Sequence, residues 1–180
     1  MKKQKLILLA INVIFGSAVI LSYIWGVLTY PDSVSKLWGN VPDSLIPMYT
    51  SWMFVAALGY FAFMYFILIS CDADETRVAR KLSYSIYYWI ILLILIPSAI
   101  WMPLTFKMII TPSAVLWISI RVVLTAVAVG SISLIVAIIK TDPIKSKWSH
   151  RFAILGAVGF SIQTVLLDAL IWTYFFPFNF

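Results

Sequence analysis

Long apolar runs, separated by short stretches that hold most of the charges, set the pattern of this chain. Five runs are long enough to cross a bilayer as helices: Leu6–Tyr30, Pro47–Ser70, Tyr84–Phe106, Ala114–Ile139 and Phe152–Phe176. A crossing helix needs about 20 mostly apolar residues. The linkers are too short to hide a soluble domain. The pattern therefore predicts an all-α fold, a single integral membrane bundle of five transmembrane helices over residues 1–180. Composition points the same way: 63% of residues are hydrophobic and 11% charged, against about 25% charged in a soluble domain.

The charges alternate along the chain. Lys2, Lys3 and Lys5 precede the first run; Arg77, Arg80 and Lys81 lie in the second connection; Lys140, Lys145, Lys147 and Arg151 lie in the fourth. The first and third connections carry one Lys each, Lys36 and Lys107. By the positive-inside rule the N-terminus is expected in the cytoplasm and Phe180 outside, in a bacterial-type plasma membrane. The net charge of +6 then reports topology, and no nucleic-acid partner is read from it. The start, MKKQK before an apolar run, resembles a secretory leader, but the run is too long and no small-residue cleavage site follows. It is expected to be the first retained span.

Cys71 is the only cysteine and His150 the only histidine. His150 is expected to be a solvated loop residue. The chain thus offers no metal cluster, no His-ligated haem and no Ser-His-Asp triad. No catalytic residue is assigned, and the sequence points away from an enzyme.

Two charges interrupt the apolar runs, Arg121 and Asp168. A charge at membrane depth is expensive and is normally paired or functional. Trp117, Arg121, Thr125 and Ala128 share a helical face of run four, and Ala157, Ser161, Thr164, Asp168 and Trp172 share one of run five. Arg121 lies seven residues in from Ala114, and Asp168 nine from Pro177. At 1.5 Å per residue those depths are about 10 and 13 Å. An ion pair between neighbouring antiparallel helices is the natural expectation. It would serve a ligand or simply fix helix register.

Tryptophan is unevenly placed. Trp25, Trp38, Trp52, Trp101, Trp117 and Trp172 fall toward the outer side, and only Trp89 and Trp148 toward the inner. Interfacial belts use both surfaces, so the bias favours an outer-half pocket over a belt alone. The first connection, Pro31–Ile46, is long and outer, and would cover such a pocket or lie as an ordered interfacial loop. Pro97 predicts a bend in run three. Small residues four apart, Ala126/Gly130 and Ala153/Ala157 with Gly156 and Gly159 nearby, predict close approach of runs four and five in their inner halves.

Two segments carry a family likeness. Trp101-Met102-Pro103-Leu104-Thr105-Phe106 is similar to a W-x-P-L-F-F run, and Leu167-Asp168-Ala169-Leu170-Ile171-Trp172 to an L-N-x-x-I-W run. Pro47, Trp52 and Gly59 add a weaker echo. With five short-looped spans, the chain resembles the TspO/translocator, or tryptophan-rich sensory, proteins. It departs from them in lacking their W-x-P-P signature after the first span. Asp168 stands where that family usually has Asn, and Arg121 has no counterpart there. The resemblance implies a homodimeric bundle that binds porphyrins, sterols or related flat apolar molecules, with Trp52, Trp101, Phe106, Asp168 and Trp172 at the pocket.

Three functions follow from these residues. The first is a membrane binding, sensory or transport protein for a flat, largely apolar ligand such as a tetrapyrrole or lipid. Trp38, Tyr49, Trp52, Trp101, Phe106, Trp117 and Trp172 would be its walls, with Asp168 and Arg121 as floor. Arg121 would meet a carboxylate or hydroxyl on the ligand. The second is a proton- or ion-coupled carrier titrating Asp168, and the third an accessory membrane subunit with no ligand.

Overall fold

The computed structural model describes residues 2–176, so the expected position of Phe180 lies outside the described residues. Five helices are long and apolar enough to cross a membrane. Helix α1 is Lys3–Thr29, α2 Ile46–Tyr65, α3 Ile86–Ile110, α4 Ala114–Ile139 and α5 Lys147–Ser161. Two of them continue with wider winding: α2 into a π turn at Phe66–Ser70, and α5 into a π segment, Ile162–Trp172, closed by the short α6, Thr173–Phe175.

The ends follow local chemistry. Ser113 accepts a hydrogen bond from the Leu116 amide and starts α4 at the expected residue. Ser146 does the same for the Ser149 amide and starts α5 five residues before the expected Phe152. The apolar pattern misses that first turn because its residues, Lys147, Ser149, His150 and Arg151, are polar. Helix α3 runs on to Ile110, through Pro97 and Pro103.

Packing gives the order α1, α3, α4, α5, α2 around the bundle. It closes where α1 meets the far end of α2, with the Tyr60 hydroxyl donating to Asn12 Oδ1 and Leu8 and Phe63 sharing one core. The small residues act differently from expectation. Gly156 meets Gly59 of α2 backbone to backbone: a Cβ on Gly59 would lie 2.3 Å from the Gly156 carbonyl oxygen. Gly130 packs on Ile94 of α3. The close approaches at these glycines are therefore α5 to α2 and α4 to α3, because the glycine faces of α4 and α5 turn to different neighbours and not to each other.

The basic end of the bundle is tied by features the apolar pattern does not show. Strands β1 (Arg77–Val78), β2 (Leu82–Ser83) and β3 (Thr141–Asp142) form a sheet in the order β2-β1-β3, joining the second and fourth connections. Lys2 bridges Asp72 and Asp74, and Lys145 bridges Asp72 and Glu75 at 3.2 and 2.8 Å. These contacts hold the Asp72 carboxyl well below the usual carboxylate range, the Lys2 hydrogen bond most of all. His150 is not a solvated loop residue. It sits half-buried on α5, its ring 5.2 Å from Phe66 and its Nε2 2.9 Å from the Ile138 carbonyl. The earlier helix start carries it onto a packed face.

Candidate functional site

At the opposite end, where Pro31–Ile46 connects α1 to α2, a second core forms. Tyr49 of α2 and Trp172 of the π segment are buried in it, and Trp38, Trp52, Trp101 and Trp117 pack against it. Trp101 meets Trp172 edge-on with ring centroids 5.5 Å apart, and Tyr23 of α1 lies 5.8 Å from Trp101 on its other side. Six of the sequence candidates thus come together: Trp38, Tyr49, Trp52, Trp101, Trp117 and Trp172.

Phe106 does not join them. It is buried between α3 and α1, against Gly26 and stacked 5.3 Å from Tyr30. Five residues of α-helix turn the chain through about 140° beyond a full circle, so Trp101 and Phe106 point to different sides of α3.

The first connection lies over this core. Trp172 Nε1 donates to the Leu37 carbonyl at 2.9 Å, and the Asn40 amide to the Phe175 carbonyl at 3.0 Å. Trp38 stands edge-on to Tyr49. The close fit needs Gly39, which has φ of +56° and would bring a Cβ to 3.0 Å from the Phe175 oxygen. Beside this lid a shallow cleft of about 240 Å³ is lined by Lys36, Gly39, Met108, Pro112 and Phe176.

The two charges are not an ion pair. Among the described residues every salt bridge lies at the basic end. Arg121 Nη2 donates to the Thr173 carbonyl at 2.6 Å, and its guanidinium carbon sits 3.2 Å from the Trp117 ring centroid. Thr173 lies in the last turn of the fifth helix, where carbonyls lack helical partners and the dipole favours a cation. Arg121 therefore caps that helix while stacked on Trp117 at the edge of the aromatic cluster. The expected polar stripe of α4 also fails at Thr125, which is exposed. The buried face of α4 runs through Ile120, Leu124, Val127, Ser131 and Leu134, leaving Arg121 at its border.

Asp168 instead accepts a hydrogen bond from Gln163 Nε2 at 2.7 Å. In an α-helix these two residues would lie about 140° apart. The π segment closes on i→i+5, which stacks them. That winding is why a reading by α-helical faces passes over Gln163. Asp168 is half-buried one turn before Trp172, within electrostatic reach of the hydroxyls of Tyr23 and Tyr49. Trp101 Nε1 and Gln163 Oε1 are buried and make no hydrogen bond within the chain. Such groups normally have partners, so Trp101 Nε1 remains as a donor and Gln163 Oε1 as an acceptor, and Arg121 Nη1 and Ser161 Oγ are likewise buried without a hydrogen bond. Tyr23, the other residue passed over in the sequence, sits in a helix so apolar that one aromatic position carries no signal.

Compared with protein-family models, curated proteins and solved structures, the chain gives no match.

Proposed function

We propose that this is an integral membrane protein, crossing the bilayer five times with its basic end in the cytoplasm of a bacterial-type cell. We further propose that it binds a flat, largely apolar ligand among the tryptophans under the Pro31–Ile46 lid. The exposed apolar surface supports the first part. Only 11% of the most apolar window of α1 is buried against the rest of the chain, which leaves most of that helix for lipid. In water so extended an apolar face would drive aggregation.

The convergence of Trp38, Trp52, Trp101, Trp117 and Trp172 from four different helices and a loop carries the second part. Indole faces give a flat molecule large contact area and preferred stacking geometries. Asp168, Gln163 Oε1 and Trp101 Nε1 then offer it a small polar anchor, as ligand sites commonly do. A remote TspO-like relationship is compatible with this proposal and is proposed only on the two short segments described above.

The test is titration of Trp fluorescence of the protein in detergent with a porphyrin, a sterol and a retinoid. Saturable quenching by one class, lost in Trp101→Ala, is expected. Absence of saturation with all three would overturn the ligand-binding function.

A further inference from the structure

Asp168 is a carboxyl group inside an apolar helix with no cation of the chain in ion-pair range among the described residues. Arg121, the cation at similar depth, is held by the Thr173 carbonyl through Nη2 and by the Trp117 ring, with its buried Nη1 making no hydrogen bond within the chain. A charge at such depth calls for a counter-charge or a functional partner. Trp172 lies one turn on from Asp168; its ring meets that of Trp101 at 5.5 Å, Trp101 in turn meets Tyr23 at 5.8 Å, and the Tyr23 hydroxyl is within electrostatic reach of Asp168. Rings around a carboxylate are the surroundings that select an organic cation, through the negative faces of the indoles and phenol. Gln163, which is 6% exposed, leaves its Oε1 as a second acceptor beside the carboxylate.

We propose that the ligand of this site is a flat amphipathic organic cation, its N–H groups held by Asp168 and Gln163 Oε1 and its rings set against Trp101, Trp172 and Tyr23. The proposal rests on the aromatic core being a ligand site, and it specifies the charge of the ligand. It reverses the sign expected when Arg121 is taken as the anchor. A charge-assisted hydrogen bond in a low-dielectric site is about twice as strong as a neutral one, so the preference should be large.

Three flat tricyclic probes of similar size separate the possibilities: 9-aminoacridinium, neutral 9-anthracenemethanol and 9-anthracenecarboxylate, each titrated against Trp fluorescence of the full chain in neutral detergent. Binding of 9-aminoacridinium should be about tenfold or more tighter than that of the carboxylate. Asp168→Asn, which keeps an acceptor for Gln163, should weaken 9-aminoacridinium by about tenfold and the alcohol by less than about twofold. Tyr23→Leu, at a half-exposed position and so safe for folding, should weaken the cation several-fold. If Asp168→Asn fails to fold, the wild-type ranking and Tyr23→Leu decide the matter. Equal or tighter binding of the alcohol or carboxylate would overturn the cation proposal and leave the flat-ligand site standing. Saturable binding by none of the three would overturn both.

Discussion

Replacing Gly59 by Ala should be one of the most damaging single-methyl changes available in this protein. The added Cβ would lie 2.3 Å from the Gly156 oxygen and 3.0 Å from its carbonyl carbon. Both atoms are backbone, so no side chain can swing away. To restore an ordinary contact of about 3.4 Å, α2 and α5 must separate by about 1 Å at that level. Two hydrogen bonds cross the same interface: Trp52 Nε1 to the Gly159 carbonyl at 3.0 Å and the Tyr49 hydroxyl to the Leu167 carbonyl at 3.1 Å. A 1 Å separation would carry both out of range. Overpacking costs about 1–3 kcal/mol, and each broken hydrogen bond about 1 kcal/mol. The better helix propensity of Ala returns at most about 1 kcal/mol. The net loss should be about 2–4 kcal/mol. Gly16 is the control, because a Cβ there meets nothing within 4 Å. Gly16→Ala should be neutral or stabilising by up to about 1 kcal/mol. Reversible unfolding in mixed micelles, followed by Trp fluorescence, measures both. Gly59→Ala as stable as wild type, or no worse than Gly16→Ala, would refute the reasoning.

Three further outcomes are expected. In a double-mutant cycle, Arg121→Leu and Asp168→Asn should be additive within about 0.5 kcal/mol, as for sites without a shared partner; a coupling of several kcal/mol in unfolding measurements would restore the ion pair. Trp172→Phe removes the donor to the Leu37 carbonyl and should cost about 1 kcal/mol, with faster proteolysis within Pro31–Ile46 as the readout. Asp72, held well below the usual carboxylate range by Lys2, the Asp74 amide and Lys145, should stabilise the folded chain fully above about pH 4, the unfolded value. That contribution disappears as pH falls through the lowered folded value, so Asp72→Asn should be less stable than wild type at pH 7 and approach it in acid. A gap that widens in acid would contradict the network.

What was legible in the sequence was whatever depended on hydrophobic runs. The bounds of α4 were readable because an apolar run begins and ends with it, and the gathering of five tryptophans because they fall toward one end of the chain's alternating runs; Trp25, the sixth at that end, stays outside the core. What was hidden depended on winding and on partners distant in sequence. Gln163 joins Asp168 only because the helix widens after Ser161. Phe106 leaves the cluster because five residues of normal α-helix separate it from Trp101. Gly59 and Gly156 lie 97 positions apart and no local pattern pairs them. The two-residue strands are too short to alternate, and Lys2 reaches Asp72 across the length of two helices.

Equal depth made Arg121 and Asp168 look like partners, and the reason they are not bears on function. A guanidinium at the last turn of a helix finds a bare carbonyl and a negative dipole end at once, and Trp117 supplies a ring face on the same helix one turn away. Those contacts hold Arg121 through Nη2 and the ring face without Asp168, while its buried Nη1 makes no hydrogen bond within the chain. A carboxylate has no equivalent refuge late in a helix, where the exposed groups are themselves acceptors. Asp168 is left to an amide donor from the preceding turn and to aromatic neighbours, which solvate a cation well and an anion poorly. One charge therefore closes the structure and the other remains available at the aromatic core. A sequence with both charges but an ordinary α-helix through residues 162–172 would lose the Gln163 contact, and with it the support that holds the carboxylate in place.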